Sequence, residues 1–181
     1  MKGIATHNSA TGERAKWYSR FLAPFAKTQS KTIAEQYEAG CRLFDLRIKL
    51  WRDRWVFAHG GYILDVSVKK VMQYLNEKGD ARVTLTYEGG TRYKREFEAL
   101  VRILKAKYRN IHYGPVVTKR GKNRLIAPAN AGWLDKPIRN AYVVLDGRSW
   151  HSLIPFPWLW KKLCYNKPTF DENTYTFVDF L

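Results

Sequence analysis

The sequence predicts an α/β fold with a mainly parallel sheet. Three observations point there. Short β-branched or aromatic runs alternate along the chain with segments of helical spacing, the pattern of strands joined by helical crossovers. The length, 181 residues, suits one domain, so residues 1–181 read as a single unit. A hydrophobic content of 45%, with 15% aromatic residues, is enough for a sizeable core and excludes a disordered chain.

The elements follow in order. Gly3 to His7 (GIATH) is a short apolar strand ending in polar residues. Thr32 to Ala39 reads as a helix, because Thr32 and Glu35 make a capping box and Gly40 stands where a left-handed stop is expected. Arg42 to Leu50 and Trp55 to His59 read as strands, the second closed by Gly60-Gly61. Asp65 is placed to cap a helix whose apolar positions Val68, Val71, Met72 and Leu75 follow helical spacing, with Gly79 as its stop. Arg82 to Glu88 alternates as a strand. Thr91 to Tyr108 reads as a long basic amphipathic helix, with Phe97, Leu100, Val101 and Leu104 on one face. His112 to Ile126 reads as one or two strands, Ala141 to Asp146 as a buried strand and Thr174 to Leu181 as the last strand. A full (β/α)₈ barrel takes about 250 residues. A barrel in this chain would have to be incompletely closed or stripped of some outer helices.

Charge narrows the partners. Lys and Arg number 32 against 16 Asp and Glu, a net charge of +16, which attracts anionic lipid headgroups, nucleic acid or a polyanionic wall. Eleven of the cations fall between Arg92 and Arg124, opposed only by Glu96 and Glu98. Two aromatic segments could add an apolar term at a membrane surface: Trp17, Phe21 and Phe25 in the first, and Trp150, Phe156, Trp158 and Trp160 in the second. The plain alternatives are a solvated helix face and aromatic lids over the ends of the sheet. Cys41 and Cys164 are too few for a disulfide scaffold or a four-ligand zinc site. No apolar stretch follows Lys2 and no window approaches about 18 apolar residues, so neither a signal peptide nor a membrane span is expected. The expected location is cytoplasmic or peripheral to a membrane.

The polar residues on the strands carry the chemistry. In Leu43-Phe44-Asp45-Leu46-Arg47-Ile48, alternation puts Phe44, Leu46 and Ile48 on one face and Leu43, Asp45 and Arg47 on the other. A carboxylate and a guanidinium therefore project side by side, either as a buried ion pair or as part of a site. His7 and His59 both stand at strand ends followed by small residues, and Glu88 and Asp179 are strand-terminal carboxylates. In parallel α/β architectures ligands bind at the carboxyl ends of strands, so this collection makes a site hypothesis.

The segments THNSATG, SKTIAEQYEAGCRLFDLRI, FAHGG and VMQYLNEKGDARVTLTYE, in that order, resemble the X region of phosphatidylinositol-specific phospholipases C. The ending TFVDFL is similar to that family's last barrel strand, whereas residues between Gly89 and Thr174 match only in the order of elements. The resemblance implies a distorted, incompletely closed TIM-type barrel acting on inositol phospholipid at an anionic phospholipid surface. It implies His7 as general base, Asp179 as its support, His59 as general acid, Arg47 as the cation on the phosphorane, and Trp17, Phe21 and Phe25 as membrane contacts.

The chain also departs from the family. Calcium-dependent members hold the metal with an Asn after the first His and with acids on later strands. Asn8, Asp45 and Glu88 match three of those places. Arg47 fills the fourth, as in metal-independent bacterial members, so no cofactor is expected and calcium is disfavoured by charge repulsion. Asn8 and Glu88 are then left as substrate-binding candidates, and Asp45 as an assistant to His59. Two rivals stand beside this reading: a catalytically inactive basic module binding phosphate on anionic lipid or nucleic acid, and a glycerophosphodiesterase of a related barrel. Nucleic acid is the less expected partner, because it leaves the joint placement of His7, His59, Arg47 and Asp179 unexplained.

Overall fold

The computed structural model describes residues 3–89, 92–118, 138–140, 144–145, 148–149, 170 and 172–178. The chain begins with β1 (Ile4–Thr6), two 3₁₀ turns (Ser9–Gly12 and Trp17–Leu22), α1 (Ala23–Ala26) and α2 (Ile33–Glu38). The central run follows: β2 (Cys41–Trp51), β3 (Arg54–His59), β4 (Tyr62–Ser67), α3 (Val68–Lys78), β5 (Arg82–Tyr87), α4 (Lys94–Lys107) and β6 (His112–Thr118). The described remainder comprises β7 (Ile138–Asn140), β8 (Val144–Leu145), β9 (Arg148–Ser149) and β10 (Tyr175–Val178).

Among the described residues six strands run parallel in the order β7, β10, β1, β2, β5, β6. The antiparallel hairpin β3–β4 attaches to the far end of β2, completing an eight-stranded sheet. Among the described residues β6 and β7 lie at the sheet's ends and do not pair with each other, so the sheet is not closed into a barrel. The architecture is mixed α/β. Among the described residues no helix is long and apolar enough to cross a membrane.

β2 is the axis of the fold because it is long enough to serve three neighbours. Its first part pairs with β1 and β5, and Ile48 to Trp51 pair with β3. Phe44, Leu46 and Ile48 join Val83, Leu85 and Tyr87 of β5 in one apolar cluster with Ile33, Met72, Leu75, Phe97 and Leu104 of the helices. The sheet thus carries its helices on one face. Tyr87 stacks on Phe97 with ring centroids 5.0 Å apart, which seats α4 over β5. The opposite face of β2 carries Leu43, Asp45 and Arg47, all buried as well.

Several expectations need correcting. Asp65 does not cap α3; Ser67 stands at that position, and Asp65 lies in β4, where it pairs with Lys16. The reason is the Gly60-Gly61 turn. Gly60 sits at φ 60°, and such a turn between apolar runs folds back as a hairpin, so Tyr62 to Ser67 pairs with β3 before the helix starts. The basic helix begins at Lys94, not Thr91, because Tyr93 at its N-cap position is left-handed (φ 62°). Val144 and Leu145 pair antiparallel with β9 outside the main sheet, whereas β7, which the sequence did not signal, joins it beside β10. Lys119–Arg124, Trp150–Trp160, Cys164 and Asp179 lie outside the described residues.

The capping box on α2 is formed as expected. The Thr32 hydroxyl accepts from the Glu35 backbone N–H (3.3 Å), and the Glu35 carboxylate accepts from the Thr32 N–H (2.7 Å). Thr32→Ala should lower the unfolding free energy by about 1 kcal/mol in urea titration, the usual cost of an N-cap. An unchanged midpoint would mean that packing of Ile33 and Tyr37 alone holds the helix.

Candidate active site

The described polar residues singled out on β1, β2, β3 and β5 meet at the carboxyl end of the parallel strands. Alternation delivers Asp45, Arg47 and Lys49 to one face of β2, and Thr86 and Glu88 to the matching face at β5, since Arg47 is in register with Thr86. Asp45 is fully enclosed. Its Oδ2 accepts from Arg47 Nε (3.0 Å) and from the Asn8 backbone N–H (3.1 Å), and its Oδ1 from the Thr86 hydroxyl (3.3 Å).

Arg47 distributes its donors. Nη1 donates to Glu88 Oε1 at 3.1 Å, and Nη2 lies 2.6 Å from His7 Nε2. A guanidinium has no acceptor, so His7 Nε2 must accept that bond with its lone pair, which makes His7 a neutral imidazole with its proton on Nδ1. His7 follows directly on β1. Its N–H donates to the Val178 carbonyl (3.1 Å), and the buried Gln29 amide donates to the carbonyls of both His7 (2.9 Å) and Val178 (3.0 Å). β1 and β10 are clasped together at this point.

His59 is half-buried at the end of β3. Its Nδ1 is 2.8 Å from the Ala26 carbonyl, which can only accept, so Nδ1 carries a proton and Nε2 is the nitrogen that exchanges one. The next residue, Gly60, is held at both of its peptide groups. The Gly60 N–H donates to Glu88 Oε2 (3.4 Å), and Lys49 Nζ donates to the Gly60 carbonyl (2.8 Å). Burial lowers the Lys49 pKa, and the Glu88 charge works against that shift. A chain of contacts therefore runs from His7 through Arg47 and Glu88 to the residue beside His59.

Asn8 adopts a left-handed backbone (φ 47°), fixed by the bond to Asp45 and by Thr11, whose N–H and hydroxyl donate to its carbonyl. Its carboxamide is buried, and among the described residues neither Oδ1 nor Nδ2 has a hydrogen-bond partner. Trp17, Phe21 and Phe25 are exposed at 79%, 72% and 49%. They lie on the segment whose last residue, Ala26, holds His59. Asp179 lies outside the described residues.

Sequence reasoning missed Lys49, Thr86 and Gln29. The first two extend the alternation that revealed Asp45 and Glu88 and could have been found that way. Gln29 lies on a loop with no pattern to mark it.

No protein-family model matches the chain, and no curated protein sequence matches it. Among solved structures the chain is similar to a phosphatidylinositol-specific phospholipase C from Listeria monocytogenes, with 18% identity and a TM-score of 0.50, over 77% of this chain and 60% of that one. The fold is phospholipase C-like. Two structures of the phosphatidylinositol-specific phospholipase C of Staphylococcus aureus, one an F249X mutant, give TM-scores of 0.46 and 0.47 at 19% and 18% identity. They match 58% and 62% of this chain and 37% and 40% of their own lengths. The chain thus spans about 60% of the Listeria enzyme's length.

Arg47→Met would strand two buried carboxylates without their shared cation. A loss of about 3–5 kcal/mol in unfolding free energy is expected from calorimetry or denaturant titration. A loss under about 1 kcal/mol, the surface-pair range, would mean that Asp45 and Glu88 are hydrated and the chain of contacts is loose.

Proposed function

We propose that this protein is a phospholipase C-like phosphodiesterase that cleaves phosphatidylinositol-type lipids by histidine general base and general acid catalysis. The observation that carries the proposal is the 2.6 Å contact between His7 Nε2 and the Arg47 guanidinium inside a buried ion-pair network. The phospholipase C-like fold supports it, as does the collection of His59, Glu88 and Lys49 at the same end of the sheet.

In this reading His7 Nε2 takes the proton of the inositol 2-hydroxyl, whose oxygen attacks the phosphorus. The bond from phosphorus to the glycerol oxygen breaks, and that oxygen takes the proton from His59 Nε2. Arg47 Nη2 turns from His7 to the non-bridging oxygens, where a planar cation stabilises the phosphorane charge. The Ala26 carbonyl keeps His59 oriented in both protonation states, because Nδ1–H is present in each. Asp45 positions Arg47, Asp179 is assigned to support His7 Nδ1, and Asn8 and Glu88 border the substrate.

The donor set does not fit calcium. Asn8, Asp45 and Glu88 supply oxygens, but Arg47 already donates to both carboxylates from between them, and a divalent ion there would meet a fixed positive charge. The reaction is therefore assigned to the side chains alone. Trp17, Phe21 and Phe25, exposed on the segment that ends at Ala26, are assigned to contact with an anionic phospholipid surface.

His7→Ala and His59→Ala should each cut turnover about 10²–10⁴-fold, the usual share of general acid or base catalysis, with circular dichroism unchanged. Phosphorus NMR of products from mixed phospholipids reads the outcome. Full turnover by either variant removes that histidine from the mechanism, and binding without turnover by the native protein supports the inactive-module reading. Turnover should also persist with a calcium chelator present; its loss there would overturn the assignment to side chains alone.

A further inference from the structure

We propose that the tip of the β2–β3 hairpin, Trp51 to Arg54, is a second, cationic contact with the anionic phospholipid surface; this rests on the membrane reading of Trp17 and Phe21. Three independent features lead there.

The first is continuity. Trp51 stacks on Tyr18 with ring centroids 6.5 Å apart and donates its indole N–H to the Tyr18 hydroxyl at 3.1 Å. Tyr18 in turn meets Trp17 edge-on at 5.8 Å. Trp17, Tyr18 and Trp51 are therefore one aromatic band, although they come from elements more than thirty residues apart in sequence. The band is braced against β4, where the Ser19 hydroxyl donates to the Ile63 carbonyl (2.9 Å) and the Lys16 N–H donates to the same oxygen (2.9 Å).

The second is charge. Arg52 places its guanidinium 5.7 Å from the Tyr18 ring centre and 6.0 Å from that of Trp51, and Lys49 Nζ lies 5.1 Å from the Trp51 ring. With exposed Arg54 this gives three cations against the single carboxylate of Asp53. Aromatic rings with cations against them match the headgroup level of an anionic bilayer, where rings sit among the glycerol groups and cations reach the phosphates.

The third is a residue choice that the local backbone disfavours. Arg52 and Asp53 are the two central residues of the turn, both at positive φ (48° and 58°). Turns of this kind favour Asn-Gly, which reaches positive φ with little strain. An arginine in that conformation at a solvent-exposed tip gives up local backbone preference, and in return it keeps a cation over the Tyr18 and Trp51 rings. Trp51 lies two residues beyond Lys49, whose ammonium holds the carbonyl of Gly60, the residue after His59, so docking of this tip brings that end of the sheet toward the lipid.

Arg52→Asn tests the proposal because asparagine suits the turn better. The variant should melt at the same or a higher temperature, yet sediment about fivefold more weakly with phosphatidylcholine vesicles doped with phosphatidylglycerol, the loss expected for one cation removed from a charged surface. Arg52→Lys should restore most of the binding. Arg109→Asn, at the opposite end of the strands, should bind as the native protein does. If Trp17→Ala/Phe21→Ala weakens binding and Arg52→Asn does not, the hairpin proposal is overturned and the membrane reading stands. Equal weakening by Arg52→Asn and Arg109→Asn reduces the effect to net charge and also overturns it. If no variant changes binding, the membrane reading fails and the hairpin proposal falls with it.

Discussion

Arg47 is the constraint on which the rest of the site depends. Its guanidinium lies between Asp45 and Glu88 with little access to water, and removing such charges from solvent costs several kcal/mol per ion. That cost is tolerable because each donor edge finds an acceptor: Nε at Asp45, Nη1 at Glu88 and Nη2 at His7. The acceptors come from three places, β2 itself, the end of β5 and the end of β1. One side chain therefore ties three strands together at the end where chemistry would occur. It also sets the protonation of His7, since a permanent donor requires a lone pair opposite it.

The opposite end of the sheet offers a contrast. There Arg42 Nε pairs with Asp80 at 2.8 Å, the Tyr37 hydroxyl donates to the same carboxylate, and Arg42 covers the Tyr37 ring at 3.9 Å. Asp80 is partly open to solvent, and the cluster closes on itself around α2. Both ends carry an acid–arginine pair. Among the described residues only the arginine at the carboxyl end faces a histidine nitrogen, and that difference separates a structural ion pair from a candidate catalytic one.

The antiparallel hairpin is the other decisive element. A purely parallel arrangement would have sent the chain after β2 straight into a helix, and His59 would not have returned beside Glu88. Instead its ring is held by the Ala26 carbonyl and the adjoining Gly60 by Glu88 and Lys49. Ala26 closes the segment that exposes Trp17 and Phe21, so the proposed proton donor hangs between the ion-pair network and the rim. Leu22 presses on the same turn, where a Cβ on Gly61 would come within 2.9 Å of its Cδ1.

What the sequence determined by itself was local in origin. Strand period exposed the two faces of β2, the capping box located α2, helical period located α3 and most of α4 with Gly79 as the stop of α3, and apolar runs ended where β1 and β3 end, just before His7 and at His59, because each depends on neighbours a few residues away. The tertiary structure decided what depends on distant partners. Thr86 completes the shell of Asp45 only through the β2–β5 register, and Gln29 clasps β1 to β10 across 149 residues of chain. Asp65 became a strand residue because Gly60-Gly61 let the chain fold back, overriding its suitability as a cap. The openness of the sheet among the described strands, the tautomer of His7 and the meeting of Trp51 with Tyr18 belong to the same class. Each is set by which strands lie side by side, and no local pattern of residues encodes that.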